Sequence, residues 1–352
     1  MAIDPLVLVF LSSGLFLGWA LGANDAANVF GTAVGTRMIR FKTAAIVCGI
    51  FVILGAVISG AGTTETLGKL GSINALPGAF AACIAAGLAV YLMTKLGLPV
   101  STTQAIVGAI VGWNIYTGSS TDIQTLITII GTWILCPVIA GLIAMLLFTI
   151  TKKIIRHSNL HILRLDAYTR LALLLAGAFG AYSLGANNIA NVMGVFVPIS
   201  PFTDINIMNF FYLSSSGQLF LLGGIAIAVG VFTYSKKVML TVGNDLLKLS
   251  PIAAFIVVIS HSIVLFVFAS QGISNFLNSI NLPSIPLVPV SSSQAIVGAV
   301  IGIGILKGGK EVQWNIAGKI TVGWVILPVI AALISIIILF VLQNIFNQAI
   351  SF

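Results

Sequence analysis

The chain has 352 residues, 59% of them hydrophobic and 7% charged, and a mean hydropathy of +1.14. Several runs exceed the ~20 apolar residues that a helix needs to cross a bilayer, which excludes a soluble globular domain and predicts an all-α polytopic membrane protein. The formal charge of +8 does not point to nucleic acid, because the 16 Lys and Arg are scattered in short loops at the ends of apolar runs.

The first apolar run, Leu6 to Thr36, has no basic flank before it and no cleavage site followed by a polar mature domain, so it reads as a retained helix and not a signal peptide. It is longer than one span and carries a polar motif in its second half, Gly22 to Gly31 (GANDAANVFG), so a broken or kinked helix is expected. Asp25 is the only acidic residue well inside an apolar run. An ionised carboxylate at membrane depth is costly and is expected to face a cavity, a cation or a partner. The competing reading is helix packing, with small residues allowing close approach and Asn side chains bonding between helices.

Arg37, Arg40 and Lys42 then form a basic turn, followed by apolar runs from about Thr43 to Ser59 and Pro77 to Thr94, with Gly60 to Asn74 between them. Next comes Pro99 to Gly112, PVSTTQAIVGAIVG. Cys48, Cys83 and Cys136 lie within apolar stretches, without CxxC or Cys/His spacing, and read as small core residues. The stretch Thr151 to Arg170 holds five basic residues against Asp166 and is expected to be cytoplasmic. His157 and His161 lie in it at i,i+4 spacing, and with no third ligand nearby they read as a solvated helical face.

The chain then repeats itself. Gly185 to Gly194 (GANNIANVMG) matches the first motif at seven of ten positions, and 185 − 22 gives an offset of 163. Pro289 to Gly302 (PVSSSQAIVGAVIG) matches the second at ten of fourteen, at an offset of 190. Trp133 and Pro137 recur as Trp324 and Pro328, at an offset of 191. The expected units are a first transmembrane repeat over 1–150, a basic linker over 151–170 and a second repeat over 171–352. The growing offset places insertions around Pro201 to Gly217 and Gln271 to Pro286.

Loops that match between the halves carry opposite charge character, as an inverted-topology repeat requires. Threading about five net crossings per half puts both termini outside and 15 of the 16 Lys and Arg on the cytoplasmic side, leaving only Lys69 outside. Broken or re-entrant segments at the four motifs bring the expectation to about 10–12 transmembrane helices.

The hydroxyl motifs have the composition of helix N-termini, with Pro99 and Pro289 followed by good N-cap residues. Free N–H groups and the macrodipole make such an end an anion site. Ser101, Thr102, Thr103 and Gln104, opposed by Ser291, Ser292, Ser293 and Gln294, are the candidate anion cage. The alternative is that these hydroxyls only satisfy helix ends. Asp25 with Asn24, Asn28, Asn187, Asn188 and Asn191 supplies hard oxygen ligands for Na⁺ or a proton relay, and Asp25, Asn28 and Asn188 are the expected sodium ligands. His261, the one imidazole at membrane depth, reads as a packing hydrogen bond rather than a proton relay.

These four ordered motifs resemble the inorganic phosphate transporter family over nearly the whole chain. The resemblance implies a symporter of inorganic phosphate in the cytoplasmic (inner) membrane, driven by Na⁺ in some members and H⁺ in others, with an inverted-repeat fold and a homodimer. It also implies a gating or coupling role for Glu65, in TTETLGKL, with Asp245, in VGNDLLKL, at the corresponding place in the second half. Two departures stand out: Asn188 replaces the Asp common in the second amide motif, and Gln104 and Gln294 stand where many members have His. The second departure favours Na⁺ as the coupling ion, with no other cofactor expected.

The rivals are H⁺-coupled phosphate transport, a sulfate permease of the same family and, from another class, an ion channel. No enzyme is expected, since Ser101 and Ser291 lack a His or Lys at useful spacing.

Overall fold

The computed structural model describes residues 4–95, 100–158, 161–207, 211–245, 249–310 and 312–352. Among them are thirteen α-helices: α1 (Pro5–Gly35), α2 (Phe41–Ser59), α3 (Ala61–Leu70), α4 (Leu76–Lys95), α5 (Thr102–Thr117), α6 (Ile123–His157), α7 (Ile162–Met193), α8 (Ser215–Thr233), α9 (Ser235–Asp245), α10 (Pro251–Ala269), α11 (Gln271–Ser279), α12 (Ser292–Leu306) and α13 (Trp314–Asn344). Seven of these, α1, α2, α4, α6, α8, α10 and α13, are long and apolar enough to cross a membrane. The chain is an all-α polytopic membrane protein.

Helix starts follow local chemistry. Asp4 caps α1 by accepting from the Leu6 amide at 2.9 Å with Pro5 in the first turn, and Ser250 caps α10 ahead of Pro251. Ser101 and Ser291 cap α5 and α12, accepting from the Gln104 and Gln294 amides at 3.3 and 3.2 Å, as the hydroxyl motifs predict. Pro99 lies outside the described residues.

Contacts between helices repeat when the halves are exchanged. Helix α1 packs on α8, α9 and α4, while α7 packs on α2, α3 and α10; α5 packs on α13, and α12 on α6. Most of these contacts join one half to the other. The two short helices α5 and α12 show how closely: a Cβ at Gly108 would collide with the Pro328 carbonyl of α13, and one at Gly298 with the Pro137 carbonyl of α6. Only glycine permits this approach.

Three expectations need correction, and one expected insertion gains a structure. Helix α1 runs unbroken through the polar motif, and α7 through its copy as far as Met193, where a 3₁₀ helix follows over Gly194–Ile199. The motif amides bond to other helices rather than to their own backbone, so nothing competes with the helical ladder. Gly60 to Asn74 is not a plain connection, because most of it forms α3. His157 and His161 do not share a helical face: His157 ends α6, with Nδ1 2.8 Å from the Lys153 carbonyl oxygen, whereas His161 caps α7 by accepting from the Leu163 amide. Finally, the first second-half insertion holds a two-stranded antiparallel hairpin, β1 (Ile205–Ile207) with β2 (Phe211–Leu213).

Candidate functional site

The four motifs converge. Asp25, 1% exposed, accepts at Oδ2 from Thr102 Oγ1 at 3.0 Å and from Asn188 Nδ2 at 3.4 Å, and at Oδ1 from Asn28 Nδ2 at 3.5 Å. One carboxylate thus joins α1, α5 and α7. Asn28 Nδ2 also donates to Ser292 Oγ at 3.1 Å, which brings in α12. The N-terminal ends of α5 and α12 are joined directly, since Thr103 Oγ1 donates to the Val290 carbonyl at 3.3 Å. Two helix N-termini, each equivalent to about half a positive charge, therefore meet beside a single buried carboxylate.

The orientation of each amide follows from its neighbours. Thr94 gives its hydroxyl hydrogen to the Val90 carbonyl at 2.7 Å, so it can only accept from Asn24 Nδ2, at 2.9 Å. Thr103 gives its own to Val290, so it accepts from Asn191 Nδ2 at 2.9 Å. The Asp25 carboxylate accepts, so Asn28 and Asn188 face it through nitrogen. In all four the nitrogen is engaged, and the amide oxygens of Asn24, Asn28, Asn188 and Asn191 are buried without a partner. A buried, unpaired amide oxygen costs ~1–3 kcal/mol, so these four are acceptors open to a water or a bound ion.

Asn187 differs. Its nitrogen donates to the Leu265 carbonyl at 3.3 Å and its oxygen accepts from the Val290 amide at 2.9 Å, so both ends of this amide are already engaged. It anchors the segment leading into α12 instead.

Among the anion-cage candidates, Ser101 and Ser291 act as caps, Ser291 Oγ lies 3.1 Å from Ser293 Oγ, and Thr102, Thr103 and Ser292 face the Asp25 network. Gln104 and Gln294 turn elsewhere. They line a cavity of about 590 Å³ between the halves, with Trp133, Trp324, Pro137 and Pro328, and their Oε1 atoms have no partner. No described hydrogen bond joins the two Gln side chains to Asp25.

Glu65 stands apart as well. It is exposed and paired with Lys69 at 2.7 Å, and the bond from Lys69 holds its carboxyl below the ordinary range. Asp245 ends α9, and its side chain lies outside those described.

Two participants carry little signal in the sequence. Thr94 sits at the end of an apolar run, with nothing to single it out beyond its being polar there. His261 is visible as an isolated imidazole, but its contact, Nε2 to Ser292 Oγ at 2.9 Å, is made to the cage itself.

The sequence profile of the Phosphate transporter family matches residues 21–275 and 282–351, which takes in all four motifs. A relative in Methanocaldococcus jannaschii whose name places it among phosphate permeases is 30% identical over 324 residues, covering 92% of this chain and 93% of its own. Another, in Rhizobium meliloti, named as a low-affinity inorganic phosphate transporter, is 28% identical over 340 residues, covering 94% and 95%. In fold, the chain is similar to a solved structure of a sodium-dependent phosphate transporter, with a TM-score of 0.76, 23% identity and coverage of 97% of this chain and 100% of that one. The matched residues span both halves and every segment that meets at Asp25, and the chain belongs to the phosphate transporter family.

Proposed function

We propose that the protein is a secondary transporter that moves inorganic phosphate together with Na⁺ through the cytoplasmic membrane. The observation that carries this reading is the set of four amide oxygens, unpartnered among the described residues, on the two helices that meet at the buried Asp25 beside two helix N-termini. Phosphate brought to this depth meets no Arg or Lys in the described network, and two half-charges do not neutralise it. A cation bound at Asp25 supplies the missing charge, and Asn28 and Asn188, which donate to the carboxylate in its absence, turn their unpaired oxygens to it as ligands. The free N–H groups at the starts of α5 and α12, with the Ser292 hydroxyl, then hold the anion.

The carboxylate is present in the first half only, so the strongest cation position lies there, and the two repeats contribute unequally. Reciprocal linkage requires that phosphate affinity rise with Na⁺ concentration. In proteoliposomes, a Na⁺ gradient is expected to drive phosphate uptake, and Asp25→Asn to abolish it. Phosphate binding by calorimetry is expected to be tighter in Na⁺ than in choline. Equal affinity in both media, with uptake following a pH gradient, would replace Na⁺ by H⁺ and leave Asp25 as the proton carrier.

The sidedness belongs to the same proposal: the basic linker faces the cytoplasm, both termini face outward, and the halves over 1–150 and 171–352 are inverted copies. The apolar faces of α6 and α13, with Ile134 67% and Val325 69% exposed, meet lipid or a second copy of the chain.

A further inference from the structure

His261 is fully buried in α10, and its ring meets the cage at one atom only: Nε2 lies 2.9 Å from Ser292 Oγ, while Nδ1 has no partner among the described residues. Of the two neutral tautomers, one places the hydrogen on Nδ1 and leaves a buried N–H with no acceptor. The other places it on Nε2 and leaves an unpaired nitrogen lone pair. Orphaned buried N–H groups are the rarer and costlier defect, so the ring carries its hydrogen on Nε2 and donates it to Ser292 Oγ.

Ser292 Oγ already accepts from Asn28 Nδ2 at 3.1 Å. With His261 as second donor both lone pairs of the hydroxyl are filled, and its hydrogen has no acceptor among the described protein groups. The equivalent hydroxyl in the first half behaves oppositely: Thr102, at an offset of 190 from Ser292, gives its hydrogen to Asp25 Oδ2 and keeps its lone pairs. The helix contact is unequal too. His261 lies four residues before Leu265, whose carbonyl Asn187 engages, whereas Ala86 lies four residues before Val90, which accepts from the Thr94 that holds Asn24.

We infer that His261 is a positioning residue which, together with Asn28, fills both lone pairs of Ser292 and thereby fixes its O–H as a donor to the transported anion. This rests on the phosphate reading of the cage and adds to it a division of labour. The first-half hydroxyl serves the carboxylate, and the second-half hydroxyl serves the anion.

The test is phosphate uptake at saturating Na⁺ in proteoliposomes. His261→Leu is expected to raise the phosphate KM about tenfold, the effect of losing one oriented donor to an anion, while leaving the Na⁺ half-saturation unchanged. His261→Gln, whose amide can donate from a similar position, is expected to stay within about twofold of the unmodified protein. In a Ser292→Ala background, His261→Leu is expected to add nothing. If Ser292→Ala raises KM but His261→Leu does not, or if the two effects simply add, the positioning role is overturned and the cage stands. If Ser292→Ala leaves KM unchanged, the cage reading itself falls. Tautomer state gives a readout that does not depend on a variant folding: in ¹⁵N-histidine protein with His157 and His161 changed to Gln, His261 is expected as the Nε2–H form. An Nδ1–H signal would overturn the inference.

Discussion

At the scale of single residues, the site depends on which end of each side chain is already engaged. Thr102 illustrates this. Its hydroxyl hydrogen goes to Asp25 Oδ2 at 3.0 Å, so its loss disturbs the carboxylate before it disturbs the anion. Thr102→Val, which keeps the branched shape, is expected to raise the Na⁺ half-saturation by about tenfold, the lower end of the range for one hydrogen bond to a charged group. The phosphate KM at saturating Na⁺ is expected to stay within about twofold, and initial uptake rates at varied Na⁺ check both. An equal rise in the two constants would return Thr102 to the anion side. Asp25 and the amides are legible in the sequence, because helix packing alone requires neither a carboxylate inside an apolar run nor the same polar order twice. Which oxygens are free is not legible there. Asn24 and Asn187 occupy the same place in the repeat, yet one faces a threonine side chain and the other faces backbone donors and acceptors from α10 and the α12 entry, segments far away in the chain.

Elements are legible where their ends carry local chemistry and obscure where tertiary contacts decide. The Ser caps of α5 and α12 can be read directly, whereas the unbroken course of α1 cannot, because what keeps it continuous is the partners its amides find on other helices. The close crossings of α5 with α13 and of α12 with α6 give an element-level prediction. Gly108→Ala or Gly298→Ala places a methyl group against the Pro328 or Pro137 carbonyl and is expected to destabilise the protein by about 1–3 kcal/mol. Gly131, in α6, has open space where a Cβ would go, so Gly131→Ala is expected to be neutral or stabilising by up to ~1 kcal/mol. Thermal unfolding in detergent distinguishes the two kinds of glycine. Similar melting temperatures for Gly108→Ala and Gly131→Ala would show that the crossing has room to relax.

For the whole molecule, the duplication and the charge of matching loops give a topology that labelling can check. In a background without Cys48, Cys83 and Cys136, single cysteines at Ser158 and Lys310 are expected to react only from the cytoplasm, and those at Asp122 and Asp204 only from outside. Reaction of the Asp122 and Lys310 positions from the same side would rule out the inverted repeat. The exchange of partners between halves also bears on the order of synthesis. When α6 leaves the ribosome, the glycine face of α5 has nothing to receive it, because its seat is α13, which is made after the whole of α7 to α12. The first half is therefore expected to complete its packing only once α13 arrives. A chain severed in the 151–170 linker is then expected to transport only when both pieces are made in the same cell, each alone being cleared as an orphan.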